Sequence, residues 1–294
     1  MGGHQSGAPL PNDEPHREMF VPVKDYFLAS TGPLQPPKWH FVTQFLKSGT
    51  LKNLAKKLRA SENPHSYYEL DRMFRPSFES LLSALDNLHQ AHNLCHDDVK
   101  LDNIFVASED DPRQWKVGDL GNAREPNHPY HFSALWVADT PQLRDCRAND
   151  ALRLTKVYLQ FLRLASKNSE EFDEALLQGV DNLSRFYWTV ARAAPPASAA
   201  EIREQSAIYQ PELDGEETLR VTTEPAEVTV SRGWAPAAEA ILGWKGSLRK
   251  AVKMELRVGA SEDLGRLFGL TWIFGIPIAT CQTDTIASLG QGEM

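Results

Sequence analysis

Between Asn93 and Glu125 the chain stops reading as helix. The run NLCHDDVKLDNIFVASEDDPRQWKVGDLGNARE loses the helical spacing of apolar residues that precedes it. It holds two short apolar runs, Ile104–Val106 and Trp115–Gly118, on either side of an acidic, turn-rich link. This pattern predicts a loop, a β-hairpin and a second loop. A fold that contains it must seat two polar loops beside one small sheet.

The polar residues of those loops are His96, Asp98, Lys100 and Asn103, then Asp119 ahead of Gly121. Each type has a task in phosphoryl transfer. A carboxylate such as Asp98 can orient an attacking hydroxyl and accept its proton, and Lys100 can offset negative charge on the moving phosphoryl group. Asn103 and Asp119 offer the hard oxygen ligands that Mg²⁺ takes. Gly121 lets the backbone turn close beside the ion. Taken singly, Asp98 and Asp119 read as turn carboxylates, His96 as a structural histidine and Lys100 as a solvated cation. Only the spacing of the set points to chemistry.

The flanking segments supply the scaffold. Met19–Ala29 and Trp39–Leu46 read as two strands separated by STGPLQPPK, hence an antiparallel pair. In LKNLAKKL, Leu51, Leu54 and Leu58 fall at helical spacing, with the lysines on a solvated face. A helix is expected from Pro76, a residue suited to a first turn, to about His92, with Phe78, Leu81, Leu82, Leu85 and Leu88 on one stripe. The segment from Asp150 to Ala165 has too many apolar residues for a narrow stripe and predicts a largely buried helix. Further helices are expected over Glu170–Arg192 and Ala235–Leu256.

The segment HDDVKLDNIFV resembles the catalytic loop of the eukaryotic Ser/Thr protein kinases, with Asp98 in the base position, Lys100 two residues on and Asn103 five residues after Asp98. Asp119-Leu120-Gly121 resembles the metal-binding DFG of that family. WHFVTQFLKSGTLKNL is similar to its fifth strand and hinge, which puts Thr43 at the gatekeeper and Gln44 to Leu46 at the hinge. By the same resemblance His96 is structural and Asp150 is the buried Asp of the long central helix. The implied fold class is α+β and protein kinase-like, a mainly helical large lobe with a truncated antiparallel β small lobe. The implied cofactors are ATP and Mg²⁺, with Asp98 and Lys100 catalytic, Asn103 and Asp119 on the metal, and Thr43, Gln44 and Leu46 on the nucleotide. The expected divisions are a disordered segment over 1–18, a small-lobe remnant and hinge over 19–46, a large lobe over 47–192, an acidic flexible linker over 193–234 and a C-terminal helical segment over 235–294.

Three departures from the family qualify that expectation. The residues before Trp39 contain no GxGxxG, no VAIK-like lysine and no helix bearing its partner glutamate, so ATP is expected to be held weakly or not at all. Asp97 stands where the family has the Arg of HRD, and a carboxylate there would repel an activation-segment phosphate. No clear APE is present; Asp139-Thr140-Pro141-Gln142 is the nearest stretch. The implied function is phosphoryl transfer from ATP to a protein hydroxyl, or alternatively a catalytically inactive pseudokinase serving as a binding or regulatory module.

Composition narrows the partners. With 31 basic against 39 acidic residues the net charge is −8, which excludes a general electrostatic grip on nucleic acid. The expected partner is a protein, substrate or otherwise, docked on the large lobe. The apolar stretch Leu267–Ala279 is thirteen residues long and broken by Gly and Pro, too short for a membrane span. No membrane contact is expected unless MGGHQS is myristoylated at Gly2. Three widely spaced cysteines, Cys95, Cys146 and Cys281, without a CxxC, argue against a disulfide framework or a structural zinc site and for a reducing, intracellular setting, cytoplasmic or nuclear.

Overall fold

Residues 18–30, 38–133, 136, 143–179, 181–211 and 246–258 are described by a computed structural model. β1 (Val23–Ala29) and β2 (Lys38–Thr43) form an antiparallel hairpin in which Phe27 faces His40 across the ladder. Little covers it. Tyr26, Phe27, Leu28, Phe41 and Val42 are exposed, and Phe45, just beyond β2, is 85% exposed.

α1 (Leu51–Arg59) buries Leu51, Leu54 and Ala55 and leaves Lys52, Lys56 and Lys57 to solvent. α2 (Tyr67–Gln90) begins nine residues before Pro76, the position where the sequence suggests its start. Ser66 and Glu69 explain the difference. The Ser66 hydroxyl accepts from the Glu69 N–H at 3.3 Å while the Glu69 carboxylate accepts from the Ser66 N–H at 2.7 Å, a reciprocal cap that starts the helix early. Pro76 then lies in the helix interior, where a missing N–H costs about 3 kcal/mol. Burying Phe74, Phe78, Leu81, Leu82 and Leu85, each fully enclosed, offsets that at about 1.5–3 kcal/mol per side chain.

β3 (Ile104–Val106) and β4 (Trp115–Val117) pair antiparallel, Ile104 opposite Val117. Residues 19–21 add a parallel bridge to β4, with the Val117 N–H donating to the Met19 carbonyl and the Val21 N–H to the Val117 carbonyl, both at 2.8 Å. α3 (Cys146–Ala165), capped by Asp145, is buried along most of its length. It packs on α2 through rings: Phe78 stacks on Tyr158 at 4.5 Å and Phe74 meets Phe161 edge-on at 5.0 Å.

Beyond α3 the helical stretch expected over 170–192 consists of α4 (Ser169–Gln178) and α5 (Asn182–Ala191). Gly179, at φ 66°, takes the left-handed turn that ends α4. α6 (Ala199–Ile208) corrects the linker reading of 193–234 over those residues. Its N-terminus is closed by the same reciprocal cap, here Ser198 with Glu201, and Arg203 donates to the Ser83 hydroxyl on α2 at 2.6 Å. α7, over 246–255, lies within the helix expected for 235–256. It docks on α3 and α5: Glu255 accepts from the Tyr187 hydroxyl at 2.5 Å and lies 3.8 Å from the Lys156 ammonium. Burial pulls the Lys156 pKa down, against the opposing pull of Glu255. The expectations for residues 1–17, including Gly2, and for Asp139–Gln142, 212–245 and 259–294 fall outside the described residues. No helix among the described residues is long and apolar enough to cross a membrane.

The cysteine reading is also corrected. Cys95 and Cys146 are disulfide-bonded, with Cα atoms 5.9 Å apart. They are 51 residues apart in sequence, and the first turn of α3 brings them together just ahead of His96. Their sulfurs, with the Asp97 carboxylate, are the one metal-like grouping of His, Cys, Asp and Glu among the described residues. The two sulfurs are committed to each other.

Candidate active site

The loop from His96 to Asn103 is held by one carboxylate. Asp150 of α3, fully buried, accepts from the backbone N–H groups of His96 at 2.5 Å and Asp97 at 3.0 Å, and lies 3.2 Å from His89 Nε2. Three polar groups that would otherwise be buried without partners converge on it. Arg153, one turn further along α3, donates to the Asp97 carbonyl at 2.7 Å. The loop is therefore seated on α3 by its own backbone, and its side chains are left to face elsewhere.

His96 ties the two loops to each other. Its Nε2 is 3.0 Å from the Gly118 carbonyl, an acceptor, and its Nδ1 accepts from the Asp98 N–H at 3.3 Å. Those partners require the neutral ring with the proton on Nε2. Gly118 also donates its N–H to the Asn103 carbonyl at 2.8 Å, which brings Asp119 alongside Asn103. The close approach depends on glycine, because a Cβ at Gly118 would stand 2.6 Å from Phe105 Cε2. Gly118→Ala is expected to destabilise the protein by about 1–3 kcal/mol, read from the urea midpoint, and Phe105→Leu in the same background should recover part of the loss.

Asp98 is the hub of the side chains. Its Oδ2 accepts from Lys100 at 2.8 Å, from Asn103 Nδ2 at 3.1 Å and from Asn122 Nδ2 at 3.3 Å. Asn103 Nδ2 also donates to the Asp98 carbonyl at 2.9 Å. With its amide nitrogen turned to two acceptors, Asn103 has an Oδ1 that accepts no hydrogen bond among the described residues. Asp119 is exposed and adopts a left-handed backbone, φ 58° and ψ 62°. A Cβ at Gly121 would lie 3.1 Å from Asp119 Oδ1, so the glycine clears the space around that carboxylate. One amide oxygen on the buried Asn103 and one exposed carboxylate on Asp119 are donors of the kind that suits Mg²⁺, which keeps several waters and binds one or two protein oxygens beside phosphate.

The residues expected at a hinge are less engaged. Thr43, at the end of β2, and Gln44 are exposed and Leu46 is half-buried. No hydrogen bond among the described residues ties them to Asp98, Asn103 or Asp119. Four participants in the site were invisible in the sequence: Asn122 on Asp98, and Arg124, His131 and Arg153 around Asp97. Asn122 and Arg124 follow Asp119 by three and five positions, but nothing in their identity marks their partners.

No protein family model and no curated protein sequence matches the chain. Among solved structures it is similar to Rad53 1–466 in complex with AMP-PNP, with a TM-score of 0.43 at 15% identity. The similarity covers 65% of this chain and 51% of that one, so the chain spans about half the length of that neighbour.

Proposed function

We propose that this chain is a protein kinase-like phosphotransferase lobe that takes Mg-ATP as donor and a protein hydroxyl as acceptor. The observation that carries this reading is the assembly around Asp98: one carboxylate oxygen receives Lys100, Asn103 and Asn122, and Asp119 stands open beside Asn103. Asn103 Oδ1 and the Asp119 carboxylate would hold Mg²⁺, which would offset the negative charge of a nucleotide's phosphates. Asp98 would orient the acceptor hydroxyl and take its proton. Lys100, anchored on Asp98, would meet the charge of the arriving phosphoryl group. Asn103 and Asn122 keep the Asp98 carboxylate in one orientation, which is the positioning that phosphoryl transfer depends on.

A second reading is an inactive binding module docked through the same lobe. It is favoured by the exposure of Thr43 and Gln44, which no hydrogen bond among the described residues ties to Asp98, Asn103 or Asp119. Thermal unfolding with millimolar Mg-ATP separates the two. The phosphotransferase reading expects a rise in Tm of about 2–4 °C for each kcal/mol of binding free energy. Asp119→Asn, which suits the left-handed backbone, should sharply reduce the rise while leaving the Tm without nucleotide nearly unchanged, because Asp119 is exposed. No rise in the native chain would overturn nucleotide use and leave the binding module.

A further inference from the structure

Asp97 occupies the position where the sequence suggests a repelled phosphate. Its surroundings give it a different role. The backbone at Asp97 is left-handed, φ 65°, and its side chain is 1% exposed. Oδ2 accepts from Arg124 Nη1 at 3.2 Å and lies 2.9 Å from His131 Nε2. Both cations come from the segment that follows Asp119.

His131 is held in its charged form by geometry. Its Nδ1 faces the Pro126 carbonyl at 3.0 Å and its Nε2 faces the Asp97 carboxylate, so both ring nitrogens meet acceptors and both must carry protons. Arg124 in turn donates to the Asn122 carbonyl at 2.7 Å and lies 4.5 Å from the Tyr130 ring centroid. The cluster therefore reaches Asp98, because Asn122 is one of its three donors. On the other side, the N–H and carbonyl of Cys95 pair with the carbonyl and N–H of Arg124 at 2.7 and 3.0 Å. Asp97 Oδ1 is buried without a hydrogen-bond partner among the described residues, so neither cation can be lost without leaving a poorly compensated buried carboxylate.

We propose that Asp97, Arg124 and His131 are positioning residues that fasten the segment after Asp119 to the catalytic loop through a buried ion cluster, anion on the loop and cations on the segment, and that this fastening needs no phosphate. As a device serving Asp98 it rests on the phosphotransferase reading; the cluster and its test do not. It also responds to pH. Burial lowers the His131 pKa, but the hydrogen bond and charge of Asp97 and the Pro126 carbonyl outweigh burial and the repulsion of Arg124, and the net shift is upward from 6.5. The other groups around the ring are Tyr130, 6.1 Å away, His128, 6.3 Å away, and Trp136, 4.8 Å away, which packs with the disulfide-bonded Cys95 and Cys146. Because the folded pKa is raised, the fastening is complete below the ordinary histidine pKa and weakens as pH rises through the folded value.

Amide hydrogen exchange over residues 122–132, without nucleotide and corrected for the intrinsic rate, tests the proposal, with the amides of α2 as the fold control. Asp97→Asn and Arg124→Gln are each expected to speed exchange at pH 6 by roughly ten- to hundredfold, the loss of one hydrogen bond to a charged group. Arg124 is partly exposed, so its variant answers even if Asp97→Asn does not fold. In the native chain, corrected exchange should rise as pH climbs above the ordinary histidine pKa of about 6.5, and His131→Gln should remove that rise. Phosphatase treatment should change nothing. Unchanged exchange in Arg124→Gln, a pH response that survives His131→Gln, or loosening after phosphatase would each overturn the proposal. None of these results depends on whether Mg-ATP binds.

Discussion

Asp150→Ala is expected to destabilise the protein by about 3–5 kcal/mol, more than any substitution at the exposed chemical groups. The carboxylate is fully buried and receives the N–H groups of His96 and Asp97 as well as His89. Alanine leaves two backbone donors desolvated with nothing to accept them, and each such donor costs about 1–3 kcal/mol. Asp150→Asn should recover little. An amide has one oxygen, so it must turn its own NH₂ toward one of the two N–H groups. A shift in the urea midpoint at unchanged slope would record the loss, and an asparagine variant as stable as the native chain would show that the loop is not seated this way.

The second large effect is expected inside the helical core. Arg75 and Asp71 of α2 form a two-pronged pair, Nε to Oδ1 at 2.8 Å and Nη2 to Oδ2 at 2.7 Å, with both side chains under 5% exposed. Tyr158 of α3 donates to the same carboxylate at 2.6 Å, and the guanidinium lies 4.9 Å from the Phe186 ring centroid in α5. Arg75→Ala should cost about 3–5 kcal/mol, because it strands a buried charge. The double change Asp71→Leu with Arg75→Met should be far milder than the single one, since apolar residues of similar volume replace a buried pair at little net cost. The Tyr158 hydroxyl keeps a partner there, for the Asp71 backbone carbonyl lies 3.2 Å away. Additive losses in the double variant would contradict this account of the pair.

What the sequence made legible was local. Asp98, Lys100 and Asn103 lie within six positions of one another, and the short apolar runs around the acidic link announced a hairpin, so spacing alone could arrange them. The crowded apolar residues of α3 likewise announced a buried helix. What stayed hidden depends on contacts between distant segments. Asp97 read as an isolated departure because its partners, Arg124 and His131, lie 27 and 34 positions away and are brought in only by the path of the chain after Asp119. Cys95 and Cys146 looked like unrelated thiols for the same reason. Pro76 misplaced the start of α2 because propensity at one position competes poorly with a reciprocal cap at Ser66 and a fully buried stripe. Residues 199–208 were absorbed into a linker on the strength of the acidic residues that follow them, although Ser198 and Glu201 carry a capping signature.

The hairpin of β1 and β2 has a consequence for how the chain unfolds. A two-stranded sheet with apolar groups open to water is marginal by itself, and this one contributes almost nothing to the enclosed core. Its strands should open by fraying, at a free energy near zero, while α2 and α3 open only with the whole helical core. The chain thus has two independent scales of cooperativity. A change in the protection of β1 and β2 that leaves α2 untouched reports an event on the hairpin itself, and a change in α2 reports the helical core.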